Sequence, residues 1–313
     1  MIRTILALLL PVALARAASV GGVVGSLVFD SNTHSLRPVF GALGSATLGP
    51  PVVSDLDSAA VAPNGRVALA IRGGEVGAIT NLNSDVPHWK GTGILASSLR
   101  KIVWSADSST AVSLSTDSLK VSWFRFSPTE LAGIDETSIG SLGAPVKALA
   151  VSGATSAVVI GVQDIGFYLL ESANEPRFLA SAITPSAAIF DAAGETLLLA
   201  DAGMNRILRV STLSGAFEVN EFLKSSDGIQ APVALFLSED GKRFISVEQT
   251  TVQIFERETG IHLTTLTNEQ EAHEIRTISP TSAVMNTNFN AGPIEILDFA
   301  AEPRIVYVPV NRE

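Results

Sequence analysis

Cysteine is absent from the 313-residue chain. The protein therefore has neither disulfides nor thiolate metal ligands, and no lipid-attachment cysteine follows the apolar run at its N-terminus. A chain of this length without cross-links depends on a large hydrophobic core for its stability.

Motifs for common catalytic chemistries are also missing. The four histidines, His34, His88, His262 and His273, do not have the spacing of metal ligands. No Gly-x-Ser-x-Gly nucleophile turn, phosphate-binding glycine loop or EF-hand calcium loop is present. These absences leave nucleophilic hydrolysis and nucleotide use without support, so we predict no catalytic residues, no metal and no cofactor.

An excess of positive charge is lacking as well. The chain carries 31 acidic and 21 basic residues, a net charge of −10, which argues against nucleic acid as a partner. Mean hydropathy is nevertheless positive. Strands buried on both faces account for such a composition, because they contain apolar residues without polar alternation.

A long hydrophobic run occurs once, at the N-terminus. Arg3 precedes an apolar segment at residues 5–14, and Ala15-Arg16-Ala17 follows it, the small-x-small pattern that signal peptidase recognises. The run is too short for a bilayer, which requires about 20 residues. We predict a signal peptide at residues 1–17 with cleavage near Ala17, export to the periplasm or the exterior, no membrane span in the mature chain, and a single domain at residues 18–313.

A short apolar strand followed by a small polar turn recurs about every 43 residues. Its six copies end at Ala62, Ser105, Ser152, Asp191, Ser238 and Ser279, with steps of 43, 47, 39, 47 and 41 residues. Turn pairs such as Asn64-Gly65 and Asp240-Gly241 favour tight hairpins, because both positions accept positive φ. Two or three further strands follow each copy.

This period predicts an all-β protein with the β-propeller fold. Six four-stranded blades account for the copies, and residues 23–29 and 36–40 form an additional N-terminal strand pair without an inner strand of its own. Six blades plus this pair is the main prediction. The alternative is seven blades, in which this pair is the outer half of the seventh blade and a further inner strand pair is needed.

Two segments resemble known propellers. Residues 199–210, which include Asp201, Asn205 and Arg206, resemble the NHL and YVTN repeats, which are similar in architecture to WD repeats. Residues 29–49, with Phe29-Asp30 and Leu36-Arg37-Pro38-Val39, resemble the start of exported bacterial propeller proteins of unassigned activity. The resemblance implies that Asp201, Asn205 and Arg206 fasten their loop, a structural role.

Propeller geometry places the loops between the second and third strands on one face, around the mouth of the central channel. Loops there often carry function. We therefore predict a polar binding rim, formed by Arg72, Asp117, Asp164, Asp201, Arg206, Glu248 and Asn288. The alternative is that these side chains are polar only because they meet water.

The main functional prediction is an exported, non-catalytic propeller that acts as a binding or interaction scaffold. Its partner would be a protein or an envelope component, or else a polar small ligand. The alternative is a hydrolase or lactonase that holds a metal through Asp164, Asp201, Glu248 and Asn288 at the channel mouth. A third possibility is a structural module of a secreted assembly.

Overall fold

A computed structural model gives the structure of this protein. It describes residues 26–309 except 41–45, 85, 97–98, 116, 118, 128–129, 144, 172–174, 212, 214, 239, 270, 273–274, 280, 286–292 and 300–301. The predicted signal peptide, its cleavage site near Ala17, and Asn288 lie outside the described residues. Among the described residues, no helix is long and apolar enough to cross a membrane.

The described chain consists of antiparallel strands in seven sheets, which we number as blades 1 to 7 in chain order. Blade 1 contains β1 (Ser26–Asp30), β2 (Ser35–Phe40) and β3 (Thr47–Leu48). Blade 2 contains β4 (Ser58–Val61), β5 (Ala68–Arg72), β6 (Glu75–Thr80) and β7 (His88–Leu95). Blade 3 contains β8 (Leu99–Trp104), β9 (Thr110–Ser115), β10 (Lys120–Phe126) and β11 (Leu131–Ser138).

The other four blades also have four strands each. Blade 4 contains β12 (Val146–Val151), β13 (Val158–Val162), β14 (Gly166–Leu170) and β15 (Arg177–Ser181). Blade 5 contains β16 (Pro185–Phe190), β17 (Leu197–Asp201), β18 (Arg206–Ser211) and β19 (Glu218–Leu223). Blade 6 contains β20 (Ala234–Leu237), β21 (Arg243–Val247), β22 (Thr251–Glu256) and β23 (His262–Thr267). Blade 7 contains β24 (Arg276–Ser279), β25 (Ser282–Val284), β26 (Ile294–Asp298) and β27 (Arg304–Val308).

Within each blade the strands pair in chain order, and the first strand is innermost. The first strands of neighbouring blades contact one another, as β12 does with β8 and β16, and β16 does with β20. Strand β1 contacts both β24 and β4, so blade 1 lies between blade 7 and blade 2. The blades therefore form a closed ring, which confirms the propeller prediction.

The prediction of six blades is wrong, and the seven-blade alternative is correct. Strand β1 is itself the inner strand that the N-terminal pair was expected to lack. The repeat did not reveal this blade for two reasons. Leu27, Val28 and Phe29 occupy β1 in place of the alanines that mark β4, β12 and β16, and β3 spans two residues, so the blade is shorter than the period.

The core lies between the blades. In β13, Val158 and Ile160 pack in a cluster with Val112 of blade 3, whereas Val159 packs in a cluster with Leu197 of blade 5. Successive side chains of a strand point to opposite faces, so each blade is apolar on both. This burial explains the positive mean hydropathy of an acidic chain.

Polar contacts link the turns that join the first and second strands of neighbouring blades, which we call the a–b turns. The amide of Asn64 donates to Ser108 Oγ at 2.9 Å, from blade 2 to blade 3. A Cβ on Gly153 would clash with the carboxylate of Asp107, so the blade 3 carboxylate lies against the blade 4 turn. The a–b turns thus form a connected series at one end of the ring.

Candidate functional site

A cavity of about 520 Å³ lies among the first strands of blades 3 to 7. Because those strands are innermost, the cavity lies on the axis of the ring. Its walls are mainly aliphatic, with Leu149, Ala150, Ala187, Ala188 and Leu235 among the lining residues. The small alanines that mark the sequence repeat leave this space open. The volume is in the range of about 300–1,000 Å³ that is typical of small-molecule sites.

Charged side chains on the cavity wall occur near its two ends. Lys101 lies near the start of β8, at the end of the ring where chains enter the inner strands. Asp107, Asp191 and Arg257 lie at the opposite end, beside the a–b turns. The middle of the cavity is therefore apolar, and its two ends differ in charge.

Asp107 is held in place by its own turn. Ser105 Oγ donates to its Oδ1 at 2.7 Å, and the amide of Ser109 donates to the same oxygen at 3.1 Å. Partial burial favours the neutral acid, but these hydrogen bonds outweigh it and lower the pKa of Asp107 below its ordinary value. The carboxylate therefore stays ionised at neutral pH.

Asp191 and Arg257 form an ion pair across blades 5 and 6. Arg257 Nη2 lies 3.3 Å from Asp191 Oδ2, and both side chains are largely buried. The other carboxylate oxygen of Asp191 accepts the amides of Glu195 at 3.0 Å and Thr196 at 3.2 Å. The pair is therefore a fixed, neutral part of the cavity end.

The predicted rim residues that the structure describes occupy loops and do not line this cavity. Asp201 is fully buried and accepts the amides of Ile183 at 3.3 Å and Thr184 at 3.0 Å. Arg206 Nη2 donates at 3.3 Å to Oδ2, the oxygen that also accepts the amide of Ile183. Asn205 Oδ1 accepts the amide of Ala231 at 2.8 Å, which joins the loop to blade 6. These contacts are structural, as the resemblance implied for the three residues.

Glu248 is also held by hydrogen bonds within its own blade. Its carboxylate is almost fully buried, accepting the amide of Gln230 at 2.7 Å and the hydroxyl of Thr251 at 2.6 Å. Arg72 donates to the carbonyl of Ser54 at 3.0 Å and lies over the ring of Trp89. Both side chains fasten the connection that enters their own blade.

Asp117 and Asp164 are the exposed carboxylates of the predicted rim. Ser115 Oγ donates to Asp117, and this bond lowers the pKa of Asp117. Gln163 Nε2 donates to Asp164 at 3.2 Å. None of the six rim residues that the structure describes lines the cavity. Asn288 lies outside the described residues.

Metal binding through the rim would require carboxylates to converge. Within the described part of the chain, no group of three or more His, Asp or Glu side chains could hold a metal ion. Asp201 and Glu248 belong to the predicted ligand set but lie in different blades. Each accepts a backbone amide at the entry to its own blade.

The binding residues predicted from the sequence did not include Lys101, Asp191 or Arg257. Among the six residues that end the repeat copies, Asp191 alone is acidic, and this could have singled it out. Lys101 lies four residues before Ser105, which ends another copy. Lys147 lies five residues before Ser152, which ends the next copy. Alignment of the two copies therefore places a lysine at the same end of each of two neighbouring inner strands. No sequence pattern marked Arg257, because its partner Asp191 belongs to a different blade.

Fold and cavity together define this protein as a seven-bladed β-propeller. No protein-family model matches the chain, and no curated protein sequence matches it. A functionally unknown protein from Desulfotomaculum acetoxidans DSM 771 is similar in structure, with a TM-score of 0.61 and 10% identity over 90% of this chain and 99% of that one.

Two lyases share the architecture. Virginiamycin B lyase from Staphylococcus aureus has a TM-score of 0.56 and 13% identity, covering 82% of this chain and 84% of its own. A streptogramin B lyase has a TM-score of 0.57 and 11% identity, covering 83% and 85% respectively. At such identities these likenesses show the fold alone.

Proposed function

We propose that this protein is a non-catalytic binding propeller whose ligand occupies the central cavity. The observation that carries the proposal is the cavity of about 520 Å³, apolar along its walls and charged at its ends. Apolar walls with a few polar groups that orient the ligand are typical of small-molecule sites. The ligand is a small molecule with an apolar body.

The non-catalytic part of the proposal rests on the state of the loop carboxylates. Asp201 and Glu248 are buried and bonded to backbone amides, so their oxygens are committed to fastening loops. The apolar middle separates Lys101 from the charged groups at the other end, where Arg257 and two backbone amides engage the Asp191 carboxylate. General acid–base chemistry needs such groups within hydrogen-bond reach of one reacting centre.

The cavity assignment is tested with a neutral apolar probe, 1-octanol, whose binding to the full chain is measured by calorimetry and saturation-transfer NMR. Ala192 is exposed and lines the cavity end, so Ala192→Trp places an indole there without replacing a core residue. We expect octanol to bind the unmodified protein and to bind Ala192→Trp about tenfold more weakly or worse.

A matched control is available in the same turn. Ala193 is also exposed but does not line the cavity, so Ala193→Trp should leave octanol binding unchanged. Equal loss in both variants, or no octanol binding at all, would contradict the proposal. Turnover of lactone or ester substrates by the purified protein would contradict its non-catalytic part and favour the hydrolase alternative.

Export is proposed on the N-terminal sequence alone, from Arg3, the apolar run and Ala15-Arg16-Ala17. N-terminal sequencing of the protein from the cell envelope and medium should find a chain that begins near residue 18. Recovery of the uncleaved chain from the cytoplasm would contradict export. A protein or envelope component as a further partner stays a prediction.

A further inference from the structure

We propose that the cavity ligand is a short extended peptide, whose main chain forms hydrogen bonds with the edge of β16 that faces the axis of the ring. This inference rests on the proposed function, because it requires that the cavity binds a ligand. It adds the chemical class of that ligand and the strand with which the ligand pairs.

The first support is that consecutive residues of the inner strands line the cavity. The lining runs without interruption over residues 186–192 in blade 5 and over residues 233–238 in blade 6. Successive side chains of a strand point to opposite faces, so a cavity beside one face would be lined by every second residue. The unbroken runs place the cavity against the edges of these strands, where the main chain is accessible.

The packing of β16 agrees with this orientation. Ala188 and Phe190 pack in a cluster with residues of blade 4, whereas Ala187 and Ile189 pack in a cluster with residues of blade 6. The side chains of this strand therefore extend sideways into the two interfaces between blades. The edge of the strand is left facing the axis.

The hydrogen bonds of blade 5 identify the main-chain groups at that edge. The amide of Asp191 donates to the carbonyl of Thr196 at 2.9 Å, and hydrogen-bonded residues alternate along an antiparallel pair. Ile189 therefore bonds to β17, whereas the N–H and C=O groups of Ala188 and Phe190 point away from β17. Strand β16 is the first of its sheet, so within the described ranges no strand pairs with this edge.

The inner strands of blades 4 and 6 follow the same pattern. Their ladders continue to Ser152, whose amide donates at 2.8 Å, and to Ser238, whose amide donates at 3.1 Å. By the same alternation, four further residues of the cavity lining direct main-chain groups towards it, namely Leu149, Val151, Leu235 and Leu237. We assign the ligand to β16 because its lining run is the longest and its alanines leave the edge accessible.

A peptide main chain matches this edge. Ala188 and Phe190 each present one donor and one acceptor, and the two residues are about 6.6 Å apart along the strand. An added strand offers donors and acceptors at the same spacing, as in peptide recognition by strand addition. The walls beside the edge are apolar, with Leu149 and Leu235 among them. The cavity of about 520 Å³ therefore suits about three residues with small apolar side chains, which extend roughly 10 Å.

The test uses an uncharged peptide, acetyl-Ala-Val-Ala-N-methylamide, whose binding to the full chain is measured by calorimetry. Three analogues each carry an N-methyl group on one residue. When the peptide engages both Ala188 and Phe190, its two alanines face β16 and its valine N–H points away. We expect methylation of either alanine to weaken binding about tenfold or more, because it removes a donor and obstructs the approach, and methylation of the valine to weaken it less than about threefold.

Amide proton shifts of the isotopically labelled protein identify the strand. The amide protons of Ala188 and Phe190 should move downfield when the peptide binds, because they gain an acceptor. Those of Ala187 and Ile189 should move much less, because they already bond to β17. The control ligand is 1-octanol, which has no amide groups and should cause no such alternation along β16.

The location is checked with the two tryptophan variants. Peptide binding should be about tenfold weaker or worse in Ala192→Trp and unchanged in Ala193→Trp, since only the first residue lines the cavity. Equal loss in both variants would overturn binding of the peptide within the cavity.

The failures of the two proposals are distinguishable. If octanol binds and is weakened by Ala192→Trp but the peptide does not bind, the peptide class is wrong and the cavity stays a binding site. Equal effects of methylation at all three residues, or shifts confined to another inner strand, would overturn the pairing with β16. Failure of both octanol and the peptide to bind would overturn both proposals.

Discussion

Asp201 shows at the residue scale how a loop carboxylate can be structural. It is fully buried and bonded to Ile183, Thr184 and Arg206. Asp201→Ala leaves two backbone donors without their acceptor, so we expect the free energy of unfolding to fall by about 1–3 kcal/mol in urea denaturation.

The control for that substitution is Asp164→Asn, at an exposed carboxylate on the neighbouring loop, because asparagine accepts the φ of 59° that this residue has. It should change stability by no more than about 0.5 kcal/mol. Octanol binding by a folded Asp201→Ala protein should be unchanged, because the carboxylate does not line the cavity. A large loss of binding without loss of stability would assign Asp201 to the site instead.

At the scale of elements, the a–b turns interact between blades through very close contacts. A Cβ on Gly153 would clash with Oδ1 and Cγ of Asp107, whose carboxylate Ser105 and Ser109 hold in place. Gly153→Ala forces this side chain or the turn to move, so we expect a loss of roughly 1–3 kcal/mol in the free energy of unfolding.

A double-mutant cycle isolates that contact. In an Asp107→Ala background the obstructing carboxylate is gone, so Gly153→Ala should cost much less there, with an interaction energy of about 0.5–3 kcal/mol. Gly133→Ala is the control, because a Cβ at Gly133 meets no atom within 4 Å. Equal cost of Gly153→Ala in both backgrounds would show that the turns do not interact in this way.

For the whole molecule, β1 is the element that closes the ring. Val28 packs in a cluster with Ile278 and Ile296 of blade 7, whereas Leu27 packs in a cluster with Leu56 and Ala59 beside blade 2. Alternation along this strand therefore joins the last blade to the second. Without it, the inner strands of blades 2 and 7 would lose their neighbour.

We therefore expect Val28→Ala to lower the free energy of unfolding by about 2 kcal/mol, from two lost methyl groups and the resulting cavity. Val28 is 5% exposed, and the control Val86→Ala removes the same atoms from a side chain that is 73% exposed. Chemical denaturation of both variants measures the difference. Equal stability would show that β1 contributes little to closure.

The repeat predicted much of the fold because its signals are local. Asn64-Gly65 and Asp240-Gly241 form tight turns, and Gly65 and Gly241 have φ of 68° and 66°. Blade 1 escaped prediction because its sheet has three strands, one of them of two residues, and is therefore shorter than the period. The role of β1 as an inner strand depends on contacts with β24, which is distant in the sequence.

The candidate site was less predictable. Polarity and loop position selected Asp201 and Glu248, but the structure uses both to bind backbone amides. Whether a polar side chain faces a ligand or an amide depends on how the connection that enters its blade folds against the loop, which polarity and loop position do not specify. The cavity itself is formed by strands from five blades.

The sequence by itself determined the strands, their tight turns and the propeller class, because alternation, turn residues and period act within a few neighbouring positions. Tertiary structure alone decided the number of blades, the fate of each loop carboxylate and the position of the cavity. Each of these depends on contacts between residues distant in the sequence, such as Asp201 with Thr184 within a blade and Asp191 with Arg257 between blades, which form only when the strands assemble.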